Sequence, residues 1–93
     1  MKTSISKIIK NVNEALFSMD ADPDSIENAI EQLKLAIGSM DDLMEEQDIH
    51  ELIKMKSDLL EIVDLIVSDD FIPIRRLREV ARELKNLRSK YGL

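Results

Sequence analysis

Along this chain the apolar residues recur every third or fourth position, and nowhere every second one. Ile5, Ile8, Ile9, Val12, Leu16 and Met19 form a first stripe, which predicts a helix over about residues 4–19. It stops at the polar run Asp20-Ala21-Asp22-Pro23-Asp24. Asp22 stands as an N-cap with Pro23 at the first helical position, and Ile26, Ile30, Leu33, Ile37, Met40 and Met44 then carry a second helix over about 22–46. Gly38 falls inside that stripe, so it reads as a weak point costing about 1 kcal/mol relative to alanine, with a break there as the alternative. Asp48 followed by Glu51 resembles a capping box ahead of Leu52, Met55, Leu59, Ile62, Val63 and Ile66, predicting a third helix over about 48–68. Pro73 opens a fourth over about 73–91, with Ile74, Leu77, Val80, Leu84, Leu87 and Tyr91 on its stripe and Gly92 as its stop. The chain thus reads as one all-α domain over 1–93, an antiparallel four-helix bundle made of two helical hairpins.

Shifting the chain on itself by 51 positions sets Ile8, Ile9, Val12, Leu16, Ala29 and Leu33 on Leu59, Leu60, Val63, Val67, Val80 and Leu84, apolar on apolar each time. A duplicated hairpin would produce this match, and so would helical periodicity alone. The third helix differs from the others because Ile49, Ile53, Leu60 and Val67 widen its apolar face. A helix apolar over so much of its circumference needs neighbours on several sides, which implies a central place in the bundle or a homodimer through helix 3. Met19, Met40, Met44 and Met55 lie on or near the stripes as core gap-fillers, with an adaptable docking groove as the other reading.

Composition narrows the function classes. At 93 residues, a chain buries roughly 60–65% of its unfolded surface, too little to enclose a large cofactor as well as its own core. There is no cysteine, which removes disulfides, thiolate nucleophiles and sulfur-ligated zinc, and fits a reducing compartment. No run approaches a membrane span, and the start lacks the continuous apolar stretch of a signal peptide, so a cytoplasmic location is expected.

The net charge of −6 hides a polarity. Residues 1–72 carry 17 acidic and 6 basic side chains, whereas 73–93 carry 2 acidic and 7 basic. Advancing 100° per residue, Arg75, Arg78, Arg82 and Lys85 fall on one strip of helix 4 within about 80° of arc. Internal neutralisation of acidic neighbours is one role for that strip, and an acidic protein partner is another. Nucleic acid is a third and less favoured role, because no aromatic or Gly-rich element accompanies the cations and the rest of the chain repels phosphate. The opposite pole, residues 35–53, holds Asp41, Asp42, Glu45, Glu46, Asp48 and Glu51 without one Lys or Arg. It reads as a solvated helix end or as a docking patch for a basic partner.

Groups able to carry chemistry are few. Residues 20–31 match a calcium loop at several ligand positions, but Ser25 stands where glycine must make the turn and Pro23 stiffens the middle, so helix capping is preferred. His50 is the single histidine and lacks the Lys and Gly that follow a phosphotransfer histidine, since Ile53 and Lys54 are there instead. With one histidine, a di-iron Glu-x-x-His pair cannot be assembled, and the serines have no other base. No metal, cofactor or catalysis is expected.

The remaining function is binding. A non-enzymatic regulator or adaptor, docking a protein through the helix 4 strip or the acidic pole, is the main expectation. The ending Leu87-Arg88-Ser89-Lys90-Tyr91-Gly92-Leu93, on a four-helix chain of this length, resembles the small cytoplasmic immunity proteins that protect producers of pediocin-like bacteriocins. That resemblance implies an immunity function as the alternative. Tyr91 and Leu93 are placed to latch helix 4 onto the bundle.

Overall fold

Four helices succeed one another in the computed structural model: α1 (Ile5–Ala21), α2 (Ile26–Glu46), α3 (Glu51–Asp69) and α4 (Ile74–Tyr91). The structure describes residues 5–21, 26–69, 71 and 73–91. The expected cap at Asp22 and Pro23, the stop at Gly92 and the latch residue Leu93 lie outside them. Each helix packs on the next and α4 closes back on α1, leaving α1 and α3 across one diagonal and α2 and α4 across the other. Neighbours run antiparallel, as the cross-helix pairs Ser18–Asn28, Asp41–Lys56 and Lys90–Glu51 require. The result is the expected antiparallel four-helix bundle, 35 × 24 × 21 Å.

The stripes converge on a core of aliphatic residues and methionine. Ile5, Ile8 and Val12 from α1 meet Leu33 and Met40 from α2, Leu52, Leu59 and Ile62 from α3, and Leu77 and Leu84 from α4, all fully buried. Burying each such side chain is worth about 1.5–3 kcal/mol. Phe17 and Phe71 stay largely exposed, so aliphatic packing alone orders the interior. Met19, Met40 and Met55 are buried and Met44 half-buried, each packed into that core.

The two sides of the bundle pack differently. Ala15 and Ser18 on α1 and Ala29, Ala36 and Ser39 on α2 are small and buried, which lets these two backbones approach most closely. α3 buries Leu52, Met55, Leu59, Ile62 and Ile66 instead, and bulky side chains hold its neighbours farther off. Within the tight pair, Asn28 Nδ2 donates to Ser18 Oγ at 2.9 Å. Asn11 is also buried, and its Nδ2 has no partner among the described residues. α2 runs unbroken through Gly38, where an added Cβ would meet nothing within 4 Å.

α3 begins three residues later than its sequence pattern predicts. The Ile49 N–H donates to the Gln47 carbonyl (3.1 Å) and the Leu52 and Ile53 N–H groups to those of Ile49 and His50 (3.2 and 3.1 Å), so residues 47–50 form a tight turn. Buried Ile49 pins that turn to the core, and His50 precedes the helix instead of standing in its first turn. At the other end the Phe71 N–H donates to the Leu65 carbonyl six residues back (3.3 Å), the bond that caps α3. Pro73 then offers its carbonyl to the Leu77 N–H (3.1 Å) and starts α4.

Candidate functional site

The rotation of α4 about its own axis decides which cations are used internally. Leu77, Val80, Ala81, Leu84 and Leu87 turn to the core. That orientation sets Arg76 against α3, where its Nη2 donates to Glu61 Oε2 (3.1 Å) and lies 3.7 Å from Asp58 Oδ1. At the far end of α4, Lys90 Nζ donates to Glu51 Oε2 (2.9 Å) and the Tyr91 hydroxyl to Glu51 Oε1 (3.1 Å), with the ammonium 5.4 Å from the Tyr91 ring centroid. These bonds show in the titration. The hydrogen bond from Lys90 holds the Glu51 carboxyl below its ordinary value, and that from Arg76 does the same for Glu61. Reciprocally, Glu51 raises Lys90 and Glu61 raises Arg76. Internal neutralisation between α3 and α4 therefore runs through Arg76 and Lys90, neither of them in the expected strip.

Arg75, Arg78, Arg82 and Lys85 are all exposed. Among the described residues no ion pair reaches Arg75, Arg82 or Lys85. Arg75, Arg78 and Arg82 line an open groove of about 510 Å³ together with Glu79 and half-buried Ile74. At 100° per residue the centre of the strip lies about 140° around the helix from Arg76 and about as far from the middle of the buried face, so it points outward.

α1 carries an exposed residue that the sequence pattern did not single out. Ser18, bonded to Asn28, marks the α2 side of α1, and Phe17 is turned about 100° away from it, nearly opposite the buried stripe of the helix and out towards solvent. Phe17 is 75% exposed and lines an open groove with Lys10, Asn13, Glu14 and Ser18 of α1 and Asn28 of α2. Its signal was present: a large aromatic off the α1 stripe, in a chain that is 3% aromatic.

The acidic pole is only partly available. Asp41 is half-buried and holds Lys56 Nζ at 2.7 Å, and Glu51 is taken by Lys90 and Tyr91. Asp42, Glu45 and Glu46 are exposed at the end of α2. Asp48 Oδ2 lies 3.8 Å from His50 Nε2, both side chains exposed in the turn before α3. The pole and the basic strip occupy different parts of the surface, since Asp41 on α2 is turned to α3 and the strip is on the outer side of α4.

The calcium-loop pattern is divided by the helices. Asp20 and Ala21 belong to the last turn of α1 and Ile26 already opens α2, while residues 22–25 lie outside the described part. Among the described residues no three His, Asp or Glu side chains are grouped to hold a metal ion. No helix of the described part is long and apolar enough to cross a membrane. No family model, curated protein or solved structure matches this chain.

Proposed function

We propose that this protein is a non-enzymatic helical module that binds an acidic protein partner, as a regulator or adaptor, through the outer basic strip of α4. The observation that carries this reading is the division of labour on α4. Arg76 and Lys90 pair with acids of α3, while Arg75, Arg82 and Lys85 stay exposed, Arg75 and Arg82 along the groove of Ile74. Holding cations together in solvent costs repulsion, which a complementary acidic surface relieves.

The test is a tagged capture from the native cell with the natural chain and with Arg82→Glu/Lys85→Glu, followed by titration of the purified partner. Both residues are exposed, so the variant keeps its helical circular dichroism. Loss of the partner from the variant, and weaker binding of the natural chain with rising salt, support the α4 strip. An unchanged partner list removes it, and a shift of duplex DNA by the natural chain that the variant loses moves the reading to nucleic acid.

A further inference from the structure

Opposite the basic strip, the bundle leaves an apolar face uncovered. Ile53, Leu60 and Val67 recur at intervals of seven along α3 and are 61, 50 and 65% exposed. Seven residues are nearly two helical turns, so the three stand on one line about 21 Å long. The Asp41–Lys56 ion pair fixes how α2 lies beside α3, and in that register half-buried Ile30, Ile37 and Met44 come level with Val67, Leu60 and Ile53. Two heptad-spaced rows therefore run side by side across the α2/α3 face. Among the described residues of one copy, nothing from α1 or α4 covers them, because those helices lie on the other side of the bundle.

We infer that this α2/α3 face pairs with the same face of a second copy, antiparallel, about a two-fold axis passing beside Ile37 and Leu60. The face is its own complement. Reversal about Leu60 sets Ile53 against the second copy's Val67 and Leu60 against itself, and it sets Lys56 against Asp64. On α2 the same axis sets Ile30 against the second copy's Met44, Ile37 against itself, and Lys34 one residue from Asp41. Both cations of the face thus meet an acid, and Asp41 and Asp64 each meet a cation, which neither a uniformly basic nor a uniformly acidic partner would provide.

The size agrees with a weak specific dimer. α3 is 19 residues, about 28 Å long, and two helices side by side are about 18 Å across. That is about 500 Å² per copy and about 1,000 Å² in total, the lower bound for a specific interface, so a dissociation constant on the order of 10 μM is expected. The pairing leaves the α4 strip of each copy exposed. It does not depend on the function proposed for that strip.

The chain has no cysteine, which makes cross-linking diagnostic. Leu60→Cys is expected to form a disulfide dimer under mild oxidation at about 100 μM, well above that dissociation constant. Ile53→Cys and Val67→Cys are each expected to remain uncross-linked alone and to cross-link when mixed, because the axis brings 53 to 67. By sedimentation the natural chain should pass from monomer to dimer across the micromolar range, and Leu60→Lys should weaken this at least tenfold with unchanged circular dichroism. Leu60 is half exposed, so that substitution spares the fold. A monomer at several hundred micromolar overturns the inference and leaves the face to a different protein. A dimer insensitive to Leu60→Lys, or the failure of Leu60→Cys to cross-link, overturns it equally.

Discussion

α1 and α3 occupy opposite corners of the bundle and carry matching apolar stripes 51 residues apart, yet they are covered differently. Ile8 and its counterpart Leu59 are both fully buried, as are Leu33 and Leu84 on the helices beside them. One position further along, Ile9 is 5% exposed and Leu60 is 50%. The difference comes from the neighbours. Small residues draw α2 close to α1, and α4 also packs closely on it, whereas bulky α3 keeps both of its neighbours at a distance. Equal hydrophobicity therefore yields unequal burial, and the surplus on α3 becomes a surface.

The sharpest way to break this comparison is to truncate positions 51 apart. Ile9→Ala should cost about 3 kcal/mol in urea unfolding, since it empties a packed site. Leu60→Ala, measured at a dilution where the chain is monomeric, should cost less than about 1 kcal/mol. Ile8→Ala and Leu59→Ala serve as the control pair, both losing about 3 kcal/mol. Equal losses at Ile9 and Leu60 would mean that the two helices are covered alike.

A smaller effect separates the hairpins at Gly38. Its counterpart in α4 is Ser89, a better helix former, and neither is hemmed in by the core. Gly38→Ala should raise stability by about 1 kcal/mol, because alanine loses less backbone entropy in a helix and its Cβ has open space. In a thermal melt that is a rise of about 4–8 °C for a domain of this size. A fall would show that α2 is not helical through residue 38.

The four helices and the core were legible in the chain because the 3.6-residue period survives any choice of neighbours. Ile8, Leu33, Leu59 and Leu84 are buried whichever helix stands beside them. What depended on rotation and register was hidden. The strip of Arg75, Arg78, Arg82 and Lys85 could be drawn on a helical wheel, but a wheel does not say that Arg76 is the cation turned to Glu61 and Asp58. The start of α3 was misplaced for a similar reason: Asp48 and Glu51 have the spacing of a capping box, but Ile49 is drawn into the core and bends residues 47–50 into a turn. Exposure of Ile53, Leu60 and Val67 was equally out of reach, since the lateral position of α2 decides it.

The smallest effect concerns how each hairpin is tied. α1 and α2 are joined by close packing and a hydrogen bond between neutral groups, Asn28 to Ser18. α3 and α4 are joined by ionic ties, Arg76 to Glu61 towards one end and Lys90 with Tyr91 to Glu51 at the other, and in the Glu51 tie both charged partners titrate. Glu51 has a folded pKa below its ordinary 4.5, so its contribution is complete above that value and is lost as pH falls through the folded pKa. Lys90 has a folded pKa above its ordinary 10.5, so its contribution is complete below that value and is lost as pH rises through the folded pKa. The tie therefore works between pH 4.5 and 10.5. Glu51→Gln should lower the melting temperature slightly at about pH 7, and the gap from the natural chain should close by about pH 3. It should also narrow in about 1 M salt, because exposed charges are screened there. Ser18→Ala should leave a gap that neither acid nor salt removes. If the Glu51→Gln gap also persisted in acid, the two hairpins would be held by the same kind of contact, and the charge tie would not distinguish α3 and α4.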